Sequence, residues 1–354
     1  MTEINPDKPV LVTGGTGYLA GVIIASLLEK GRDVHTTVRD PDNRETLKYL
    51  DAIAAETPGS IRYFKADLLD ADGFAPAMAG CELVIHTASP FIAHVEDPQR
   101  DLVDPAVKGT RNVLAAVDAT DTVKRVVLTS SCAAIYGDNG DIAGMPDRKL
   151  TEAVWNTTSS LSHQAYSLSK TLAEKAAWEM VEGQSRWDLV TINPSFILGP
   201  GINPHASGES YAILTQIGNG TMAAGIPDFR IGAVDVREVA AAHIAAGFTP
   251  QAEGRHILSG HDTGFVEMSA LLRGHFGSTY KFGKSILPKF MVWLVGPMIN
   301  PGLTRTMVSR NVGIPFLADN SKSRSALGVT YRPLTETLTE HFQQLIDAGR
   351  VKPA

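Results

Sequence analysis

Short apolar runs alternate with amphipathic stretches between residues 10 and 128. Five runs rich in apolar and β-branched residues predict buried strands, at residues 10–12, 33–38, 60–64, 82–86 and 124–128. The stretches between them predict helices, one ending at residue 30 and the others near 43–55, 70–79 and 100–119. Strands that alternate with helices form parallel sheets, so the pattern predicts an α/β fold with a doubly wound parallel sheet. Ligands of such sheets bind along the carboxyl ends of the strands.

A glycine-rich turn follows the first predicted strand, in the order Thr-Gly-Gly-Thr-Gly-Tyr-Leu-Ala at residues 13–20. Gly14 permits a tight turn, Gly17 lets backbone N–H groups approach a pyrophosphate, and the small Ala20 lets the helix pack closely on the strand. A strand before this turn and a helix after it favour a dinucleotide site over a purely geometric role for the glycines. The predicted cofactor contacts in this turn are Gly14, Thr16, Gly17, Tyr18 and Leu19.

The second predicted strand ends at Arg39. NAD-binding proteins carry an acidic residue near this position for the ribose 2′-hydroxyl, whereas a guanidinium suits a 2′-phosphate. The sequence therefore predicts NADP(H) in preference to NAD(H), with Arg44 or Lys48 as a second cationic contact. The alternative is that Arg39, which adjoins Asp40, is a solvated charge at the end of a strand.

Tyr166 and Lys170 are four residues apart in a stretch with helical character. This spacing puts both side chains on one face of a helix, where the ammonium favours the ionised form of the phenol. The pair therefore indicates proton transfer to or from a substrate oxygen, although a surface pair has the same spacing. Tyr280 and Lys284 are also four apart, but Gly283 between them makes a helix, and hence a catalytic role, unfavourable.

Several motifs in this order resemble a known family. They are Thr-Gly-Gly-Thr-Gly-Tyr-Leu, Thr-Val-Arg-Asp-Pro, Ala-Asp-Leu, His-Thr-Ala-Ser-Pro, Thr-Ser-Ser, Tyr-Ser-Leu-Ser-Lys-Thr-Leu-Ala-Glu and Asn-Pro-Ser-Phe-Ile-Leu-Gly-Pro. The chain resembles the extended short-chain dehydrogenase/reductases, in particular the group of dihydroflavonol, cinnamoyl-CoA and aldehyde/ketone reductases. The resemblance covers roughly the first 260 residues and the final helix, and it implies a Rossmann-type fold.

The resemblance also implies residue roles. Ser131 would bind the substrate carbonyl, Tyr166 would donate the proton, and Lys170 would hold the nicotinamide ribose. The remaining implied cofactor contacts are Asp67 and Leu68 beside the adenine, Thr87, Ala88 and Ser89 along the cofactor, and Pro194 and Ser195 near the nicotinamide.

Two positions depart from the group. Thr46 lies where relatives often carry a lysine, which leaves the second phosphate contact to Arg44 or Lys48. Tyr136 lies where plant flavonoid reductases tend to have asparagine, which disfavours a flavonoid-specific enzyme. Apolar and aromatic residues favour a hydrophobic or aryl carbonyl substrate, although each is equally compatible with the core; the candidates are Phe91, Tyr136, Phe196 and Tyr211.

We expect residues 1–195 to form mainly the NADP-binding domain. Residues 196–354 are expected to form mainly a smaller substrate-binding lobe, with some strands and helices returning to the sheet. A net charge of −6 and the lack of a basic stripe argue against nucleic acid. Cys81 and Cys132 form no disulfide framework and the first residues lack signal-peptide features, so we expect a cytoplasmic location. The histidines show no metal-ligand spacing, so no metal is expected. We expect a monomer or a homodimer.

The apolar segment 286–299 is interrupted by Lys289 and bounded by prolines. A membrane-spanning helix needs roughly 20 apolar residues, so this segment is too short to cross a bilayer. We expect it to cap the substrate pocket or contact a second subunit, with a peripheral membrane contact as the alternative.

The sequence favours an NADPH-dependent aldehyde or ketone reductase. The alternatives are a 3β-hydroxysteroid dehydrogenase, a sugar-nucleotide epimerase or a non-catalytic NADP(H) sensor. Arg39 disfavours an NAD-retaining epimerase, and Cys132-Ala133 replaces the acidic pair expected of a dehydratase. A sensor would not need Ser131, Tyr166 and Lys170 together.

Overall fold

The computed structural model describes residues 1–89, 95–300 and 302–353. Its strands are β1 (Val10–Thr13), β2 (Asp33–Val38), β3 (Ser60–Lys65), β4 (Leu83–His86), β5 (Arg125–Thr129), β6 (Asp188–Pro194), β7 (Phe196–Leu198), β8 (Ile226–Pro227), β9 (Arg230–Asp235), β10 (Gly254–Leu258), β11 (His261–Gly264) and β12 (Ile286–Leu287). Its α-helices are α1 (Tyr18–Glu29), α2 (Arg44–Glu56), α3 (Ala75–Met78), α4 (Asp104–Asp118), α5 (Asn139–Ile142), α6 (Ala165–Glu182), α7 (Glu209–Gly218), α8 (Val236–Phe248), α9 (Phe265–Phe276), α10 (Lys289–Ile299), α11 (Arg305–Asn311), α12 (Ser321–Leu327) and α13 (Leu334–Asp347). A π-helical turn at Gln99–Val103 precedes α4, and short 3-10 turns lie at Cys132–Ala134 and Pro146–Arg148.

The central sheet has seven parallel strands in the order β10-β6-β5-β4-β1-β2-β3. β1 lies inside this sheet, where Val10 pairs with Val34 on one side and with Leu83 on the other. Val10 and Val12 pack in the core under α1 and α8, while Leu11 points into a second core under α4. Helices therefore cover both faces, and the predicted doubly wound Rossmann-type fold is confirmed.

The observed elements follow the apolar pattern closely, with one clear exception. The helix predicted at residues 70–79 is reduced to α3, a single turn. The carboxylates of Asp67 and Asp70 accept hydrogen bonds from the backbone N–H groups two residues further along, and these local turns compete with a helix. Gly73 and the proline in the first turn of α3 further restrict where the helix begins.

The C-terminal half supplies a lobe with its own core. A three-stranded sheet in the order β11-β9-β7 and a short β12-β8 pair lie in this part of the chain. Its core includes an aromatic cluster of Phe276, Tyr280, Phe282 and Phe342. Tyr280 lies outside any helix in this cluster, so it does not share a helix face with Lys284.

Two later elements return to the central sheet. β10 adds the edge strand next to β6, and α8 packs against α1. Within the described residues, no helix is both long enough and apolar enough to cross a membrane.

Four buried histidines have a lowered pKa: His86 on β4, His243 on α8, His256 on β10 and His341 on α13. Burial, together with the Lys170 ammonium, lowers the pKa of His86 to about 3. Burial also lowers the pKa values of His243 and His256 to about 4 and that of His341 to about 3. These imidazoles stay neutral in the folded state at a pH where they are protonated in an unfolded chain.

We expect the free energy of unfolding to fall between pH of about 6.5 and about 5, because the unfolded chain binds protons on these histidines that the folded chain does not. The slope that each contributes rises to about 1.4 kcal/mol per pH unit toward the acidic end of this window. Urea unfolding measured across the window tests this expectation. His243→Gln should reduce the slope, whereas replacement of the exposed His205 by Gln should not, and a flat wild-type profile would contradict the assignment.

Candidate active site

The glycine-rich turn is held against the end of β2. The N–H of Gly14 donates to Thr37 Oγ1 at 3.1 Å, and the N–H of Gly15 donates to the Thr37 carbonyl at 3.0 Å. Gly14 has a φ of 72°, in the left-handed region that favours glycine, and a Cβ on Gly15 would collide with Thr36. The turn therefore contacts Thr37, which lies two residues before Arg39 in the sequence, as a dinucleotide site requires.

Helix α1 begins at this turn without a side-chain cap. Gly17 is the N-cap residue, no described side chain caps the helix, and its first turn contains no acidic residue. The N–H groups at this helix start, with the positive end of the helix dipole, suit an anion such as a diphosphate. A cavity of roughly 360 Å³, open to solvent, adjoins the turn; it is lined in part by Thr16, Gly17, Tyr18, Thr46 and Asn203.

Tyr18 fastens the turn to the segment after β7. Its hydroxyl donates to the Gly199 carbonyl at 2.5 Å, and its ring makes an edge contact with Tyr211. Burial raises the pKa of Tyr18 well above its ordinary value, which keeps the phenol protonated as a donor. Leu19 is buried in the core under the turn, so its backbone, not its side chain, is available to a ligand.

Hydrogen bonds join the carboxyl ends of β1 and β4. The Thr13 hydroxyl accepts from the N–H groups of Thr87 and Ala88 at 3.2 and 3.1 Å, and it lies 2.8 Å from His86 Nδ1. Since the Thr13 hydroxyl already accepts two hydrogen bonds, its own proton is left to donate to Nδ1 of the neutral His86. The Thr87 hydroxyl donates to the Thr13 carbonyl at 2.6 Å. This network holds the Thr87–Ser89 segment beside Gly14, where a Cβ would come within 3.1 Å of Ala88.

Tyr166 and Lys170 both lie on α6, as their spacing predicts. The Lys170 ammonium is 5.8 Å from the centroid of the Tyr166 ring and donates to Ser89 Oγ at 2.9 Å. Tyr166 is 54% exposed, so its hydroxyl is open to a ligand. A cavity of roughly 370 Å³, including open solvent, lies beside Lys170; it is lined in part by Leu68, His86, Ala88, Ser89 and Glu174. The structure therefore brings Leu68, Ala88, Ser89 and Lys170 together.

Ser131 follows β5 at the same edge of the sheet. It has an extended backbone, and its Oγ accepts from the Ala133 N–H at 3.1 Å. The 3-10 turn that starts after Ser131 packs against α6. Cys132, next to it, is buried with its Sγ against the Asn193 carbonyl, and burial raises the pKa of its thiol. Cys132 is thus a core residue.

A buried carboxylate, Glu174, holds α6 to the ends of the strands. It is 1% exposed, and every described side chain that hydrogen-bonds to it is a donor. The donors are Ser130 Oγ at 2.5 Å, Arg255 Nε at 2.7 Å, Asn193 Nδ2 at 2.8 Å, Thr191 Oγ1 at 3.1 Å, Arg255 Nη2 at 3.2 Å and Trp178 Nε1 at 3.3 Å. Asn193 Nδ2 also donates to the Ser131 carbonyl at 3.2 Å, so the network positions Ser131 relative to α6.

A second buried carboxylate, Asp138, holds the start of α6. It accepts hydrogen bonds from His163 Nε2 at 2.7 Å, Gln164 Nε2 at 2.9 Å, Arg310 Nε at 2.7 Å and Asn311 Nδ2 at 2.6 Å. Burial raises the pKa of Asp138, but these hydrogen bonds outweigh that effect and lower it overall. Gln164 has a φ of 57°, a strained conformation that its bond to Asp138 holds two residues before Tyr166.

The cations predicted to bind a 2′-phosphate do not line either of the two cavities. Arg39 is exposed just after β2 and has no hydrogen-bond partner among the residues described. Arg44 is 3.8 Å from Asp51, and Lys48 donates to Glu45 at 2.8 Å. Arg39 is therefore the most available of the three to an added phosphate.

The other implied cofactor residues lie along the carboxyl edge of the sheet. Asp67 is exposed after β3 and accepts the Leu69 N–H, while Pro194 is buried at the end of β6. The hydroxyl of Ser195 is buried and has no partner in the described part of the chain, so it suits a polar group of a ligand. With the uncapped helix start, these features fit a bound dinucleotide.

The structure supports the predicted substrate residues less well than the predicted cofactor residues. Phe91 lies outside the described residues. Tyr136 and Phe196 are partly buried, and the Tyr136 ring packs against Phe316. Tyr211 is fully buried, with its hydroxyl donating to Gln344, so the structure places it in the lobe core and not on a described cavity.

Several residues of the site were not predicted from the sequence. Glu174 lies within the recognised Tyr-Ser-Leu-Ser-Lys-Thr-Leu-Ala-Glu motif, but nothing local indicates that it is buried. Asp138 carries no motif signal, since its partners Arg310 and Asn311 come from a distant part of the chain. Asn203 also carries none, and only the folded chain shows that it lines the cavity beside the glycine-rich turn.

A model of the NAD dependent epimerase/dehydratase family matches residues 10–256. The cinnamoyl-CoA reductase of Medicago truncatula is 35% identical over 348 residues, covering 98% of each chain. An anthocyanidin reductase of Vitis vinifera is 35% identical over 275 residues, 75% of this chain and 80% of that one.

Solved structures agree with these relatives. Yeast methylglyoxal/isovaleraldehyde reductase, solved with NADPH, has a TM-score of 0.76 at 26% identity and covers 97% of this chain and 100% of its own. Vestitone reductase of alfalfa has a TM-score of 0.74 at 28% identity, covering 98% of this chain and 100% of its own. The resemblance drawn from the motifs and the predicted nicotinamide cofactor class are thereby confirmed. The chain belongs to the NAD dependent epimerase/dehydratase family, and within it to the extended short-chain dehydrogenase/reductases that are reductases.

Proposed function

We propose that this protein is an NADPH-dependent reductase that converts a hydrophobic or aryl aldehyde or ketone to the alcohol. The observation that carries the proposal is the arrangement on α6, where Lys170 lies beside the exposed Tyr166 and also donates to Ser89, which lines the cavity next to it. The names of the relatives, which include cinnamoyl-CoA reductase and methylglyoxal/isovaleraldehyde reductase, support a carbonyl substrate.

Tyr166 acts as the general acid in this proposal. The bound nicotinamide supplies hydride to the carbonyl carbon. Ser131 donates a hydrogen bond to the carbonyl oxygen and stabilises the charge that develops there, and the Tyr166 hydroxyl delivers the proton. Lys170 stabilises the phenolate that forms when Tyr166 gives up its proton. It also binds the nicotinamide ribose of the cofactor. In the reverse oxidation Tyr166 is the base.

The uncapped start of α1 binds the diphosphate, and Arg39 binds the 2′-phosphate. Asp67 and Leu68 would hold the adenine, and Pro194 and Ser195 would contact the nicotinamide. Residues 1–195 mainly hold the cofactor in this scheme, and residues 196–354 mainly hold the substrate. β10, which pairs with β6, is the returning strand. We place the reaction in the cytoplasm.

The test is loss of NADPH absorbance with a panel of aryl aldehydes, α-dicarbonyls, cyclic ketones and flavanonols. Tyr166→Phe should lower kcat by about 100-fold or more, because the proton donor is removed. NADPH binding measured by fluorescence should stay unchanged. Tyr63→Phe, which removes a hydroxyl bonded to Asp51 away from the site, is the matched control. Full turnover by Tyr166→Phe would show that the catalytic assignment is wrong.

Arg39→Asp should lower the ratio of kcat/KM with NADPH to that with NADH by about tenfold or more, since a carboxylate repels the 2′-phosphate. Steady-state kinetics with both cofactors measure the ratio. Arg148→Asp changes an exposed cation elsewhere and should leave it unaltered. An unchanged ratio in Arg39→Asp would refute the proposed phosphate contact.

Glu174→Gln should reduce the free energy of unfolding by about 3 kcal/mol, because it leaves the buried Arg255 guanidinium without its counter-charge. It should also lower kcat while changing KM little, since Ser131 loses its alignment with Tyr166. The control is Asp188→Asn, which breaks the Arg125–Asp188 pair at the opposite end of β5 and β6. That variant should lose stability and keep kcat, and equal kcat losses in both variants would refute a positioning role.

A further inference from the structure

Helix α10 presents a continuous apolar face to solvent. Phe290, Leu294 and Met298 follow one another at intervals of four residues and are 70%, 56% and 84% exposed. Met291, Val295 and Ile299 form a second exposed stripe beside the first, and Ile299 is 79% exposed. Residues four apart lie along one side of a helix, so the six side chains make one surface, here called the α10 face.

Only a narrow stripe of α10 is packed on the protein. Its buried residues are Val292 and Gly296, and Val292 packs with Val308 and Val312 of the α11 region. Monomeric soluble proteins rarely leave a contiguous apolar surface of this kind uncovered, and such surfaces mark sites of interaction with a membrane or another molecule. The α10 face is therefore a candidate for contact with another phase or partner.

The α10 face lies within a cationic part of an acidic protein. Residues 268–318 contain six lysines and arginines and no aspartate or glutamate. Because this segment contributes +6 and the whole chain carries −6, the remainder carries −12. Lys284, Lys289 and Arg305 are exposed, and the Arg305 guanidinium lies 4.5 Å from the centroid of the Trp293 ring. Arg310 is paired with Asp138 and Asp141, whereas Lys289 at the start of α10 and Arg305 beside Trp293 put positive charge next to the apolar surface.

We infer that the α10 face docks on the surface of an anionic lipid bilayer. Apolar side chains with phenylalanine, leucine and tryptophan, flanked by lysine and arginine, are the composition that binds in the interfacial region of such a membrane. The helix has 11 residues, about 16 Å in length, so it lies in the interface and does not span the bilayer.

A symmetric pair of chains fits the same surface less well. In a two-fold interface each patch meets its own copy, so the cations flanking α10 would face one another across the contact. Like charges so placed oppose association, whereas anionic headgroups attract them. Neither described cavity is lined by α10, so the docked protein keeps its cofactor site open. The inference does not depend on the proposed reaction.

The experiment is flotation of the full chain with vesicles of phosphatidylcholine alone, and of phosphatidylcholine with about 30% phosphatidylserine. Binding to the anionic vesicles should exceed binding to the neutral ones and should weaken as salt rises. Brominated phosphatidylcholine in the anionic vesicles should quench the fluorescence of Trp293, and Trp293→Phe should remove most of that quenching.

Two variants separate the apolar and charged contributions. Leu294→Ser with Met298→Ser should lower the vesicle partition coefficient by about tenfold or more, and Lys284→Glu with Arg305→Glu should abolish the preference for anionic lipid. Matched controls are Leu317→Ser and Lys352→Glu, which change exposed residues elsewhere. All variants should retain wild-type thermal unfolding and NADPH binding, because none alters a buried residue or the cofactor site.

Equal, weak binding of wild-type protein to both vesicle types would overturn the inference, as would undiminished binding of the Leu294→Ser and Met298→Ser double variant. Light scattering of the protein without lipid distinguishes membrane docking from a dimer interface. A wild-type dimer that this double variant converts to a monomer would assign the α10 face to a second copy of the chain and refute membrane docking.

Discussion

The buried ion pair between Glu174 and Arg255 is the constraint on which the site depends. A carboxylate 1% exposed in a protein interior is costly unless donors surround it, and here they come from the end of β5, from β6, from β10 and from α6 itself. The helix that carries Tyr166 and Lys170 therefore has one place on the sheet where this charge is satisfied. Ser131 is fastened to the same network through Asn193. Charge burial thus acts with the apolar packing of α6 to set the relative position of these side chains.

Much of the fold was predictable because its signals are local. A parallel strand buried on both faces is a short run of apolar and β-branched residues, and β1, β2, β4 and β5 were all recognised in this way. The glycine turn and the Tyr166–Lys170 spacing are also local, since each needs only a few neighbouring residues. The length of α3 was overestimated because the spacing of apolar residues does not reveal that aspartate side chains hydrogen-bond nearby backbone N–H groups.

The remainder of the site depends on contacts between distant parts of the chain. Glu174 meets Arg255 across 81 positions, and Asp138 meets Asn311 across 173, so no window of sequence contains both partners. Tyr211 illustrates the opposite error, since an aromatic residue in the lobe is equally suited to a pocket and to a core, and it lies in the core. The segment 286–299 was recognised as apolar, but which of its side chains are covered depends on how α11 packs against it.

The placement of β10 has a consequence for synthesis of the protein. Glu174 leaves the ribosome long before Arg255, and proteins begin to fold as their N-terminal parts emerge. Until residue 255 is available, a nascent chain that packs α6 on the sheet buries a carboxylate without its main counter-ion. The translated chain therefore cannot complete the packing of α6 on the sheet until β10, the edge strand, has been synthesised. Premature termination before this strand leaves a product that lacks the seventh strand and exposes an unpaired sheet edge, a substrate for quality-control proteases.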